Sequence, residues 1–158
     1  MTTSIIMETK VIENLKLSSP AFSAGDTIPE RYTCDGEDVN PPLEIGDFPE
    51  GTQSLVLHVN DPDAPSGNWT HWLVYDMPLL HTIEENSTPG TVGMNDFGEA
   101  KYGGPCPPIG THRYFFRLYA LDTRLSLPPA STRDDVLAQM ENHIIGTGEL
   151  MGLFSHHT

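Results

Sequence analysis

The sequence predicts a mainly β protein, a sandwich of strands with a peripheral helix. Three observations carry that reading. Fourteen glycines and fourteen prolines are spread along 158 residues without a period, as turn residues are in a loop-rich fold. Several aromatic and aliphatic runs have strand character. A single helical pattern appears near the end of the chain, and one more strand follows it.

The elements follow in order. "LKLSSPAF" (15–22) reads as a first short strand, ended by Pro20. "RYTCDGEDVNPPLEI" (31–45) reads as two extended pieces around a Cys-Asp-Gly turn, with Pro41 and Pro42 excluding helix. In "QSLVLHVN" (53–60), Leu55, Leu57 and Val59 share one face, and Ser54, Val56, His58 and Asn60 share the other. "WTHWLVYDM" (69–77) and "HRYFFRLYAL" (112–121) are further strands. Between them, 78–111 is too rich in proline and glycine for long regular structure, and loops of that length are more often functional than incidental. "STRDDVLAQMENHII" (131–145) is the predicted helix. It has Val136, Met140 and Ile144 at helical spacing, Ser131 or Thr132 as its cap and Gly146 as its close. "ELMGLF" (149–154) is the expected last strand.

Length points to one domain over 1–158, with residues 1–10 as a frayed extension and Met7 as an alternative start. Eight basic against twenty-two acidic residues give a net charge of −14. Such a surface repels phosphate backbones and anionic membranes, so no nucleic-acid partner is expected. No apolar run reaches the ~20 residues of a membrane span, and the first ten residues lack the form of a secretory signal. Stable membrane insertion is not expected, and the cytoplasm is the expected location. There, Cys34 and Cys106 are expected as free thiols.

The densest chemistry lies in "DPDAPSGNWTHW" (61–72). If extended geometry persists through Pro62, the carboxylates of Asp61 and Asp63 point the same way. A hairpin-like return brings His71 back towards them. Far along the chain, "YGGPCPPIGTHRYFF" (102–116) offers Gly103 and Gly104 with exposed N–H groups, a stiff proline wall, and His112 and Tyr114 on one strand face.

"DPDAPS", the Trp-x-His-Trp element and "GGPCPPIGTHRYFFRLYALD", together with "SPAF", "IPERYTCDGEDVNPPLEI", "NDFG" and "HIIGTGELMGLF", resemble the phosphatidylethanolamine-binding protein family. Within it they resemble the bacterial and archaeal branch described as Raf-kinase-inhibitor-like. The resemblance implies two antiparallel sheets with one or two short peripheral helices, and a small preformed anion pocket at one end. Carried over by motif, the pocket lining is Asp61, Asp63, His71, Gly104, Pro107, His112 and Tyr114. The implied ligand is a small anion or phosphorylated head group; a regulatory protein partner and a homodimer are implied too, and no cofactor. The family's eukaryotic branch has a longer segment after its Asp-Pro-Asp motif, where only Gly67 and Asn68 stand here, and a long C-terminal tail not seen here. Its phospholipid or phosphopeptide selectivity is therefore not carried over.

An anion beside two aspartates needs donors. The reading adopted is that Asp61 accepts from His112 or from backbone N–H groups, and the ligand meets imidazole, Tyr114 hydroxyl and glycine-loop N–H groups. Asp63 then faces an ammonium or hydroxyl of a head group. Phe97 and Asp96 are either part of the pocket rim or a loop cap. The alternative is catalytic. Asp61, Asp63, His71 and His112 form a conceivable mixed metal set, and a His/Asp hydrolase has Ser66 or Cys106 as candidate nucleophile. A third reading leaves Asp61 and Asp63 only satisfying turn N–H groups. His58, His81 and His143 read as structural or surface residues.

Overall fold

A computed structural model of the chain describes residues 11–155, so the expected frayed segment 1–10 lies outside the described residues. The strands are β1 (Glu13–Asn14), β2 (Leu17–Ser18), β3 (Leu43–Ile45), β4 (Ser54–Asp61), β5 (Trp69–Met77), β6 (Thr82–Ile83), β7 (Thr91–Val92), β8 (His112–Leu121) and β9 (Ile144–Phe154). A single α-helix among the described residues, α1 (Arg133–Met140), precedes β9. Six strands form one sheet in the order β1-β9-β8-β4-β5-β7, and β2-β3-β6 form a second. Among the named strands every pairing is antiparallel except the edge pair β1–β9.

The alternation in β4 explains why the large sheet is covered on both faces. Leu55, Leu57 and Val59 pack with Trp72, Val74, Phe116 and Leu118 and, from the small sheet, Leu43, Ile45 and Ile83. Val56 turns the other way and joins Leu73, Tyr75 and Leu121 under Val136 and Met140 of α1. All eight residues of β4 are buried, as they must be when a central strand is shielded by a sheet on one side and a helix on the other.

The helix is shorter than predicted. Thr132 caps it, accepting from the Asp135 N–H at 3.2 Å, and Asp134 and Asp135 occupy the first turn. It stops at Met140, and Asn142 takes a left-handed φ of 68°. Residues 144–154 then pair along β8, so Ile144 and Gly146 lie in a strand rather than closing a helix. An eleven-residue ladder satisfies more backbone groups than one further helical turn. The first extended piece predicted after Arg31 is also replaced, by a 3-10 turn over Glu30–Tyr32.

Candidate functional site

Three strand ends meet at one end of the six-stranded sheet. Asp61 closes β4, Trp69 opens β5 and His112 opens β8. Asp61 continues the inward face of Leu55, Leu57 and Val59, and His112 and Tyr114 continue that of Phe116 and Leu118. His71 reaches the same side through a bulge: Val59 faces Trp72 while Asn60 faces Thr70, leaving His71 as the extra residue. Bulges re-aim side chains in this way.

These residues surround a cavity of about 320 Å³, at the small end of ligand pockets. Asp61, His71, His112 and Tyr114 supply its polar side, and Ala64, Pro65, Trp69, Phe97, Pro107 and Pro108 its apolar walls. Ser66 and Cys106 also reach it. Aromatic edges hold the polar rings in place. Tyr114 meets His71 edge-on with centroids 5.2 Å apart, and Phe97 meets both His71 at 5.3 Å and Trp69 at 5.5 Å. Phe97 is thus part of the wall. Asp96 acts elsewhere, accepting from the Thr70 N–H at 2.6 Å.

The hydrogen bonds decide which atoms a ligand meets. Asp61 Oδ2 lies 2.6 Å from His112 Nδ1, and its Oδ1 accepts from the Asp63 N–H at 2.7 Å. His71 Nδ1 lies 2.7 Å from the Gly103 carbonyl. A carbonyl only accepts, so Nδ1 of His71 carries its proton, and the Asp61 carboxylate places the His112 proton likewise. Each neutral ring is left with Nε2 as an acceptor. Burial pulls the His71 pKa down, opposed by the Gly103 carbonyl and the Asp61 carboxylate. The Tyr114 hydroxyl is buried without a hydrogen bond of good geometry. Burial first, and the nearby Asp61 carboxylate second, push its ionisation far above the usual phenol range. It stays an O–H donor at any working pH.

Of the seven residues expected to line the pocket, Asp61, His71, Pro107, His112 and Tyr114 come together around this cavity. Asp63 and Gly104 are not among its lining residues. Asp63 turns outward because the Asp61–Asp63 bond forms an Asx turn that ends the extended run. There Arg113 grips it through Nε and Nη2 at 2.9 and 2.8 Å and through its backbone N–H at 2.9 Å. That fork holds the Asp63 pKa down to about 2. The two carboxylates therefore diverge, contrary to the extended reading.

The glycine loop also differs from expectation. The Gly103 N–H donates to the His71 carbonyl at 2.9 Å and the Gly104 N–H to Asp38 Oδ1 at 2.7 Å. Neither remains for a ligand. The glycines serve packing instead: a Cβ at Gly103 would stand 2.6 Å from the Phe97 ring, and one at Gly104 would collide with the Tyr32 carbonyl.

The expectation of free thiols is corrected. Cys34 and Cys106 form a disulfide with Cα atoms 5.4 Å apart, inside the usual span of about 4.4–6.8 Å. The Cys34 N–H donates to the Pro105 carbonyl at 3.1 Å, which sets the two segments side by side although 72 residues separate the cysteines. Among the described residues, no three His, Cys, Asp or Glu converge as a metal set, and no helix is long and apolar enough to cross a membrane. His58, His81 and His143 are held by Thr70, the Ile45 carbonyl and Asp122.

Known proteins place this architecture. A protein of Methanothermobacter thermautotrophicus named only as a UPF0098 protein is 48% identical over 148 residues, 89% of this chain and 98% of its own. A crystal structure of a putative phosphatidylethanolamine-binding protein homolog from Chlamydia trachomatis superposes with a TM-score of 0.87 at 40% identity, covering 94% of this chain and all of that one. The Escherichia coli protein YbcL, described as a new member of the mammalian family, gives 0.84 at 27% identity over 90% of this chain and 99% of its own. Residues 18–155, which include the cavity and strands β3 to β9, match the phosphatidylethanolamine-binding protein profile. The chain belongs to the phosphatidylethanolamine-binding protein family.

Proposed function

We propose that this is a non-catalytic binding protein whose cavity holds phosphate or a phosphorylated head group, with regulatory partners reached through the same end of the sandwich. The observation that carries the reading is the Tyr114 hydroxyl, a buried donor without a good partner beside two buried imidazoles. An orphaned buried group costs about 1–3 kcal/mol, which a ligand oxygen would recover. The apolar walls add contact area for whatever the anion is attached to. Half-exposed Phe97 and Ile109, 79% exposed beside Pro108, give a protein partner or a second copy an apolar foothold.

The Asp61–His112 pair has the form of a general base. Among the described residues, however, no wall hydroxyl hydrogen-bonds to His112, and Cys106 is committed to its disulfide. Those facts favour binding over the His/Asp hydrolase reading, and the lack of a convergent metal set weighs against the metal-dependent one. The cytoplasm is part of the proposal; there, an accessible disulfide exchanges with the thiol pool.

Because Nδ1 carries the proton in both rings, Nε2 donates to an anion only after the ring gains a second proton, or when the ligand brings one. A charge-assisted bond is worth about 1.5–3 kcal/mol, or roughly ten- to a hundredfold in affinity. Calorimetric titration with inorganic phosphate should therefore show tighter binding at pH 6 than at pH 8. His112→Ala should lose most of the binding, and Asp61→Asn should weaken it. Equal heats in all three proteins at both pH values would dismiss this cavity as the site.

A further inference from the structure

The cavity wall over residues 106–111 is secured differently from the rest. As far as Pro105 the loop is tied by bonds from backbone N–H groups, Gly103 to the His71 carbonyl, Gly104 to the Asp38 carboxylate and Cys34 to the Pro105 carbonyl. Beyond it, 107–111 make no backbone–backbone hydrogen bond among the described residues until pairing resumes at His112. Pro107 and Pro108 have no N–H to offer, and Gly110 takes a φ of 71°. The covalent tie at the start of this stretch is the Cys34–Cys106 disulfide, with Cys106 exposed and Cys34 half-buried. Cys106, Pro107 and Pro108 all line the cavity.

We propose that the Cys34–Cys106 disulfide is a redox-controlled brace of the binding cavity. Formed, it holds the 106–111 wall against His112 and Tyr114; reduced, it frees that wall and weakens the ligand's hold, while the sandwich persists. Persistence follows from position. Neither cysteine belongs to either hydrophobic cluster, and both lie outside the strands. Only the ligand-affinity part rests on the binding function proposed above.

The reductant is a dithiol. One of its thiolates attacks a bridge sulfur, giving a mixed disulfide and releasing the other cysteine as thiolate. Its second thiol then displaces the remaining cysteine. The dithiol ends as a disulfide and the protein as two thiols, with two electrons and two protons transferred.

The test compares oxidised protein, protein reduced with dithiothreitol, and a Cys34→Ala/Cys106→Ala variant. Far-UV dichroism, amide exchange at residue 34 and Gly104, subtilisin cleavage within 109–111 and calorimetry with inorganic phosphate are the readouts. The brace requires unchanged dichroism, roughly tenfold faster exchange and cleavage on reduction, and about tenfold weaker phosphate binding. Unchanged exchange and cleavage would overturn it. So would loss of the dichroism signal on reduction, which would make the bond a staple of the fold. Equal phosphate affinity in both redox forms would remove its effect on the ligand. Phosphate binding to neither form would count against the proposed function, while exchange and cleavage would still decide the brace.

Discussion

Tyr114→Phe is the substitution with the sharpest outcome, because it should move stability and binding in opposite directions. The hydroxyl is buried and lacks a well-formed hydrogen bond, and the ring is fully enclosed between β8 and the cavity. In the unfolded chain that hydroxyl is solvated. Folding therefore loses a water contact worth about 1–3 kcal/mol and regains little. Phenylalanine keeps the ring and its edge contact with His71, so no sizeable void is opened. Urea unfolding should show a variant as stable as the parent or about 1 kcal/mol more stable, equivalent to roughly 2–4 °C in melting temperature for a domain of this size. The same change removes a donor to a charged ligand, worth about 1.5 kcal/mol, so phosphate should bind about tenfold more weakly. Both quantities come from one preparation, by denaturation and calorimetry. A variant destabilised by more than about 1 kcal/mol with phosphate affinity unchanged would refute the reasoning. It would mean that Asp61 or the Cys106 backbone already satisfies the hydroxyl.

Burial, then Arg133 and Arg117, lower the His58 pKa to about 4. Below the usual value near 6.5 the unfolded chain takes up a proton that the folded chain refuses, so stability present above pH 6.5 is lost as pH falls towards 4. At 1.36 kcal/mol per pH unit the loss approaches about 3 kcal/mol, and urea unfolding of His58→Gln across that range should show a flatter profile than the parent. Asp63 loses stability in the same direction for a different reason, since Arg113 favours its charged form. Its low pKa stabilises the fold above the unfolded value near 4 and the benefit fades as pH falls through about 2. Because the pair is largely exposed, Asp63→Asn should cost under about 1 kcal/mol and leave phosphate affinity unchanged, since Asp63 does not line the cavity. A tenfold loss of affinity in Asp63→Asn would show that the outer carboxylate belongs to the site. Thiol counting on denatured, unreduced protein should return no free groups; two would deny the disulfide.

What could be read from the sequence followed from local periodicity. The bounds of β5 and β8 coincide with their apolar runs, and the two faces of β4 are the faces its alternation assigns. The end of α1 could not be read that way, because Ile144 fits a helical stripe and a strand equally well. Only its partner Leu121, more than twenty residues away in the chain, decides the matter. Gly103 and Gly104 show the same limit. A Gly-Gly pair signals close approach, and the chain alone does not say whether a ligand or the protein's own Phe97 and Tyr32 come near.

The site depends on such non-local facts more heavily than the fold does. Alternation counted back from Trp72 puts His71 on the face of Leu73 and Tyr75, beneath the helix, where it could not meet Tyr114. One bulged residue opposite Val59 and Asn60 reverses that. The same reasoning explains why the two aspartates part. Asp61 is the last residue whose direction the strand dictates, and its own side chain then bends the backbone that carries Asp63 to Arg113. A chain of net charge −14 thus keeps its outer carboxylate paired with an arginine and its inner one hydrogen-bonded to an imidazole. Among the described residues no arginine or lysine lines the cavity, so an anion there must bring a proton to the acceptor Nε2 atoms or add one to a ring. That is the physical reason for expecting this pocket's affinity to follow pH.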